Sequence, residues 1–165
     1  MIKRELYMNR IRPFIGGELI KVMTGIRRSG KSVMLELIKE ELAEAGVAPS
    51  QMISINFEDM RYSHLQTATA LHDEIIKRAE GIKGKAYLFF DEIQEVEGWE
   101  KCVNSLRVAL DCDIYITGSN AKLLSGELAT YIGGRYVEFV IYPFSFAEFL
   151  ELYHTIAPSD SIQQC

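Results

Sequence analysis

The sequence is poor in the features that would make it a disulfide-framed, metal-scaffolded or membrane-spanning protein. Its 165 residues hold three cysteines, Cys102, Cys112 and Cys165. They are odd in number and lack C-x-x-C spacing, which argues against a disulfide frame and a zinc site. Cys102 lies on a helical apolar stripe and reads as core. The three histidines, His64, His72 and His154, are scattered without metal-ligand spacing. No apolar run approaches the ~20 residues that cross a bilayer, so membrane insertion is not expected. The N-terminus, Met1-Ile2-Lys3-Arg4-Glu5-Leu6, lacks the apolar core of a secretion signal. A reducing, cytoplasmic setting follows. A net charge of −5 argues against a broad nucleic-acid-binding face on this segment. It leaves open a local basic patch, or nucleic-acid binding through a region absent here.

Against these gaps, 48% hydrophobic and 25% charged residues describe an ordinary globule, long enough for one well-cored domain. Its most informative stretch is Gly25-Ile26-Arg27-Arg28-Ser29-Gly30-Lys31-Ser32, which fits G-x-x-x-x-G-K-[ST]. The apolar stretch Leu19 to Met23 leads in as a strand and Val33 to Ala45 leads out as a helix. Between them Gly25 and Gly30 let successive N–H groups converge on one anion, and the helix start at Lys31 adds its own unpaired N–H groups. Gly25, Arg28, Ser29, Gly30, Lys31, Ser32 and Val33 are the expected phosphate-binding residues. Lys31 is placed to reach the β- and γ-phosphates and Ser32 to hold magnesium.

Onward, strands and helices alternate, which predicts a mostly parallel sheet covered on both faces. The outgoing helix carries Met34, Leu37, Ile38, Leu42 and Ala45 at spacings of three and four, and Gly46 stops it. Further strands are expected over Met52 to Phe57, Ala86 to Phe90, Ile114 to Thr117 and Tyr136 to Tyr142. The run Ala86-Tyr87-Leu88-Phe89-Phe90 is uninterrupted, as for a strand buried on both faces. Ser54 and Asn56 break the second strand and Glu138 the fifth, which suits sheet edges. The expected order is therefore 5-1-4-3-2. Trp99, Cys102, Val103, Leu106 and Leu110 form a helical stripe, with Trp99 as a packing anchor. Beyond the fifth strand, Ser145-Phe146-Ala147-Glu148 has the form of a capping box opening another helix. The residues from Pro158 to Cys165 are polar.

The third strand ends in Asp91-Glu92, in the manner of a Walker B pair, at the crevice where such sheets bind ligands. Asp91 would hold magnesium opposite Ser32, and Glu92 would act as general base on the attacking water. The fourth strand ends in Thr117-Gly118-Ser119-Asn120. Ser119 and Asn120 fit two roles equally, orienting the water or γ-phosphate and capping the helix expected over 121–131. Asn56, near the end of the neighbouring second strand, is placed to hold Glu92 away from water. Arg27 and Arg28 lie within the loop, whereas Arg135, after Gly133-Gly134, is better placed as a finger or sensor arginine, from the same or a neighbouring subunit.

In this order the motifs resemble the AAA-like ATPases with an additional catalytic-glutamate strand. More narrowly, the chain is similar to prokaryotic ATP-binding proteins whose AAA domain precedes a C-terminal domain of unknown function. The likeness rests on the loop, on Asn56-Phe57-Glu58-Asp59, Phe90-Asp91-Glu92-Ile93-Gln94 and Gly98-Trp99-Glu100. It continues through Thr117-Gly118-Ser119-Asn120, Gly134-Arg135 and Tyr142-Pro143-Phe144-Ser145-Phe146-Ala147-Glu148-Phe149. The resemblance implies an α/β P-loop NTPase fold, a three-layer sandwich around a mostly parallel five-stranded sheet. It implies ATP and Mg2+ as ligands, with hydrolysis of ATP to ADP. It further implies an ATP-binding domain over residues 1–157, with 158–165 opening a C-terminal region missing here. A protein or nucleic-acid partner, or further copies of the chain, would then receive the nucleotide-driven change.

Two function classes follow, an ATPase that moves an attached domain and a nucleotide-gated binding module with little turnover. A small-molecule kinase is disfavoured by the Walker B glutamate, and a guanine-specific GTPase by the lack of any Asn-Lys-x-Asp element. Tyr7 to Ile15, with Arg12 and Pro13, fits either a surface for the base or an ordinary helix on the core.

Overall fold

The computed structural model describes residues 5–119, 123 and 131–143. The helix expected over 121–131 falls largely outside them, as do Asn120, the capping box at Ser145 and the polar tail. The described elements are α1 (Glu5–Ile11), β1 (Ile20–Thr24), α2 (Lys31–Glu44), β2 (Met52–Asn56), α3 (Ala68–Ala79), β3 (Ala86–Asp91), α4 (Trp99–Ala109), β4 (Cys112–Gly118) and β5 (Tyr136–Val140).

The strands form one five-stranded sheet of order β2-β3-β4-β1-β5, every neighbouring pair parallel. This is the expected order read from the other edge. Side chains alternate across the pleat, so each strand supplies two cores. On one face Val22, Ile55, Leu88, Phe90 and Ile116 pack with Leu71 and Ile75 of α3 and Val103 and Leu106 of α4. On the other, Met23, Phe89, Tyr115 and Phe139 pack with Met8 and Ile11 of α1 and Met34, Ile38 and Leu42 of α2. Helix, sheet and helix give three layers. Leu88 and Phe90 are fully buried, each worth about 1.5–3 kcal/mol. Ser54 and Asn56 on β2 and Glu138 on β5 are exposed, as their edge positions require.

Element ends shift for local reasons. β3 extends through Asp91, whose carbonyl accepts the Phe57 N–H at 3.0 Å. α3 was not expected. It buries only Leu71 and Ile75, and it starts where the Thr67 hydroxyl accepts the Ala70 N–H at 3.3 Å. Cys102 is buried within the core, and desolvation pushes its thiol up to about 12 and that of Cys112 up to about 11, which leaves both as neutral thiols. Among the described residues no helix is long and apolar enough to cross a membrane.

At the end of the sheet where the strands begin, a charge pair lies inside the protein. Lys21 and Asp113 are both 0% exposed and ion-paired to each other. Lys21 Nζ also donates to Gly17 O at 2.8 Å. Asp113 Oδ2 accepts the Gly16 N–H at 2.8 Å and the Tyr115 hydroxyl at 2.6 Å. Burial pulls the Lys21 ammonium below the ordinary lysine range and pushes the Tyr115 phenol up. The pair pins the turn that delivers the chain into β1.

Candidate nucleotide site

β1 ends at Thr24 and α2 opens at Lys31, so six residues turn the chain from a buried strand into a helix. Gly25 is required by a close approach, since a Cβ there would lie 2.3 Å from Ile141 O. Gly30 has φ 98° and Arg28 φ 63°, both left-handed; the second is costly for a residue with a side chain. Ser29 is buried behind the turn and its N–H donates to Ile26 O at 3.1 Å, so it braces the loop. Helix geometry gives the first-turn N–H groups of α2 no intrahelical partner, the arrangement that suits an anion.

Lys31 is buried, its Nζ donating to Gly25 O at 2.7 Å, Ile26 O at 2.9 Å and Ser119 Oγ at 3.2 Å. Its Nζ stands 3.7 Å from Glu92 Oε1. Ser32 Oγ donates to Asp91 Oδ2 at 2.6 Å, and Thr117 Oγ1 donates to Asp91 Oδ1 at 2.5 Å. Thr117 Oγ1 in turn accepts the Glu92 N–H at 2.9 Å, which fixes the backbone between the two acidic residues. Glu92 has φ 58°, a second left-handed residue with a side chain at this site. Ser119 Oγ donates to both Glu92 oxygens, at 2.7 and 2.9 Å, and Gln94 Nε2 donates to Oε2 at 2.5 Å. Arg27, Arg28, Gly30, Lys31, Ser32, Val33, Glu58 and Glu92 line a cavity of about 410 Å³.

The loop, the Asp91-Glu92 pair and Ser119 thus come together across three strands. Other expected residues do not join them. Arg135 is exposed and its carbonyl accepts the Ile20 N–H at 3.0 Å, at the start of β1. Parallel pairing of β1 with β5 therefore puts it roughly 16 Å of strand from the loop, so a same-subunit approach to phosphate is corrected. Asn56 does not hold Glu92. It is exposed, and its Oδ1 accepts the Glu58 N–H at 3.0 Å in a local turn. Of the two readings of Tyr7 to Ile15, the structure has the core helix: Tyr7, Met8 and Ile11 are buried, and Arg12 pairs with Glu41 and Glu5. Gln94 and Thr117 stood in the quoted motifs without a role of their own; their side chains contact Glu92 and Asp91. Glu58 was quoted without a role; its carboxylate pairs with Arg27 at 2.9 Å on the cavity rim.

Among the described residues no group of three or more His, Cys, Asp or Glu could hold a metal by itself. Ser32 and Asp91 offer two hard oxygens, the kind of donor Mg2+ takes alongside phosphate oxygens and water.

A sequence model of the family described as an AAA domain matches residues 17–150. The chain belongs to that AAA domain family. It is 48% identical over 150 residues to an uncharacterized protein of Haemophilus influenzae, covering 91% of this chain and 38% of that protein. It is 41% identical over 133 residues to an uncharacterized protein of Methanocaldococcus jannaschii, covering 80% of this chain and 28% of that one. The chain therefore spans about a third of the length of these relatives. Its fold is similar to the Aeropyrum pernix Orc1 protein, solved in complex with DNA, with TM-score 0.64 and 15% identity over 94% of this chain and 49% of that one. It is likewise similar to AMPPCP-bound DnaA from Aquifex aeolicus, with TM-score 0.62 and 13% identity over 94% of this chain and 52% of that one. At these identities the likeness concerns the AAA fold alone.

Proposed function

We propose that this AAA domain binds ATP with magnesium and hydrolyses it to ADP and phosphate, passing the resulting change to an attached or partner domain. The observation that carries the reading is the meeting of Lys31, Ser32, Asp91, Glu92 and Ser119 through contacts of 2.6 to 3.7 Å, with Lys31, Ser32 and Glu92 lining one cavity. The site fits a triphosphate because Gly25 permits a tight backbone turn and a helix start faces the loop. In the reaction Lys31 exchanges the loop carbonyls for phosphate oxygens. Ser32 and Asp91 would hold magnesium, which when bound would supply charge neutralisation at the phosphates. Glu92 accepts a proton from the water that attacks the γ-phosphorus, and ADP leaves. Ser119 orients either the water or the glutamate. The AMPPCP-bound state of the similar DnaA fold and the absence of an Asn-Lys-x-Asp element favour adenine over guanine. Any contact of Arg135 with phosphate would come from a neighbouring copy in a homo-oligomer. A protein or nucleic-acid partner would act through sequence beyond this chain, as the greater length of the relatives allows.

The test is phosphate release by this chain from ATP and GTP, with magnesium and with EDTA. Magnesium-dependent release that is faster with ATP supports the reading; release indifferent to EDTA, or equal for both nucleotides, overturns it. One observation favours the second class, a nucleotide-gated module with little turnover. Both Glu92 oxygens are already bonded to protein donors.

Arg28→Gly separates strain from binding. Relief of the left-handed residue, ~1–2 kcal/mol, is offset by the entropy of glycine, ~0.5–1 kcal/mol, so denaturation should show unchanged or slightly raised stability. Loss of one charge-assisted contact should weaken MgATP about tenfold by calorimetry. Unchanged affinity would place Arg28 in solvent.

A further inference from the structure

Gln94 occupies the short turn Ile93–Glu95 that follows β3, two residues beyond the proposed base. The left-handed backbone of Glu92 reverses the chain there, and the Gln94 amide comes back against the Glu92 carboxylate. Its Nε2 donates to Glu92 Oε2. Its Oε1 is buried with no hydrogen-bond partner among the described residues. It is walled in beside Gly118, where a Cβ would lie 3.0 Å from that oxygen and 2.4 Å from Leu123 Cδ2. Burying one end of an amide unpaired is unfavourable, so packing alone does not explain a glutamine at this place. What the amide does achieve is a charge-assisted bond to the proposed base.

Glu92 faces donors on both oxygens. Ser119 donates to each, Gln94 to Oε2, and the Lys31 ammonium stands beside Oε1. A general base must offer an aligned lone pair to water, and these partners fix the carboxylate's orientation and compete with a water for its oxygens. They differ in what moves them. Lys31 and Ser119 sit with the phosphate loop, Lys31 Nζ donating to Ser119 Oγ, while Gln94 is half-buried in the turn after β3 with its Oε1 shielded from solvent. We propose that Gln94 is a positioning residue that tethers Glu92 in a resting pose, released when a triphosphate draws Lys31 and Ser119 away. This inference rests on the nucleotide reading above and assigns the restraint on the base to a residue of β3's own turn.

The tether is tested in two ways. Gln94→Leu keeps the volume and removes both the donor and the buried orphan acceptor. Its kcat for MgATP should rise about three- to tenfold, the scale of one charge-assisted hydrogen bond, with KM within about twofold. Gln94→Met serves if the leucine variant does not fold. An unchanged or lowered kcat in a folded variant overturns the proposal.

The second readout needs no turnover. In the NMR spectrum of the nucleotide-free protein, the Gln94 side-chain amide, assigned by its loss in Gln94→Leu, should show one strongly downfield, slowly exchanging proton. Saturation with Mg2+ and a non-hydrolysable ATP analogue should return it toward the ordinary glutamine position. An ordinary position without nucleotide, or no movement on saturation, overturns the tether. Calorimetry on the same samples distinguishes the two failures: no binding heat sinks the nucleotide reading itself, whereas binding with an unmoved Gln94 signal sinks the tether alone.

Discussion

Glu92→Gln is expected to lower MgATP turnover by about 10²- to 10⁴-fold while leaving MgATP affinity within a fewfold of the parent. The scale is that of removing a positioned general base. The affinity expectation follows from geometry. Glu92 lies 3.7 Å from Lys31 but makes none of the phosphate or magnesium contacts assigned to Lys31, Ser32 and Asp91. The amide is nearly isosteric, can still accept from Ser119, and keeps the left-handed backbone held by Thr117. Losing the negative charge also frees Lys31 from one attraction, so affinity should hold or improve slightly. Phosphate release under saturating nucleotide, set beside calorimetric titration, reads the two quantities separately. The same variant divides the two function classes, because a nucleotide-gated binding module would keep its partner interaction with the base removed.

Asp113→Ala should cost about 3–5 kcal/mol of stability, although it lies at the far end of the sheet from the loop. The substitution leaves the Lys21 ammonium at 0% exposure with Gly17 O as its acceptor in place of a carboxylate. It also strips the acceptor from the Gly16 N–H and from the Tyr115 hydroxyl, whose ring stacks on Phe89 at 4.9 Å. Against the ~5–15 kcal/mol typical of domains, that loss is a large fraction. A lowered midpoint in urea with an unchanged slope is the expected signature. Replacing both partners, Lys21→Met with Asp113→Leu, should recover most of it, because the cost lies in the uncompensated charge. If the single variant unfolds at the parent midpoint, the pair contributes little to stability.

How much of this was legible beforehand depends on which physics each feature obeys. Strand order could be read because burial on two faces leaves a compositional mark. Ala86 to Phe90 is apolar throughout and lies inside the sheet, while Ser54, Asn56 and Glu138 sit on edge strands. The loop and the Asp91-Glu92 pair were legible because backbone chemistry constrains them locally. α3 escaped because its buried stripe is only Leu71 and Ile75, too thin a period to stand out among polar residues. Gln94 escaped because nothing in Asp91-Glu92-Ile93-Gln94 announces that Glu92 adopts φ 58° and folds the next turn back on itself. Asn56 was misjudged for a related reason, since an asparagine after a strand bonds its own backbone two residues on. The same-subunit placement of Arg135 failed because its position in the chain does not reveal which end of β5 it adjoins; the parallel register does. Lys21 and Asp113 become partners only through the β1–β4 pairing of Lys21 with Tyr115.

The central claim is that the turn between β1 and α2, with the acidic tip of β3, grips a magnesium-bound triphosphate. Calorimetric titration of MgATP into the parent chain and into Lys31→Ala tests it most directly. Saturable binding by the parent, weakened about 100-fold or more in Lys31→Ala through loss of charge-assisted bonds, is the result the account predicts. Equal affinity in the two proteins would contradict it.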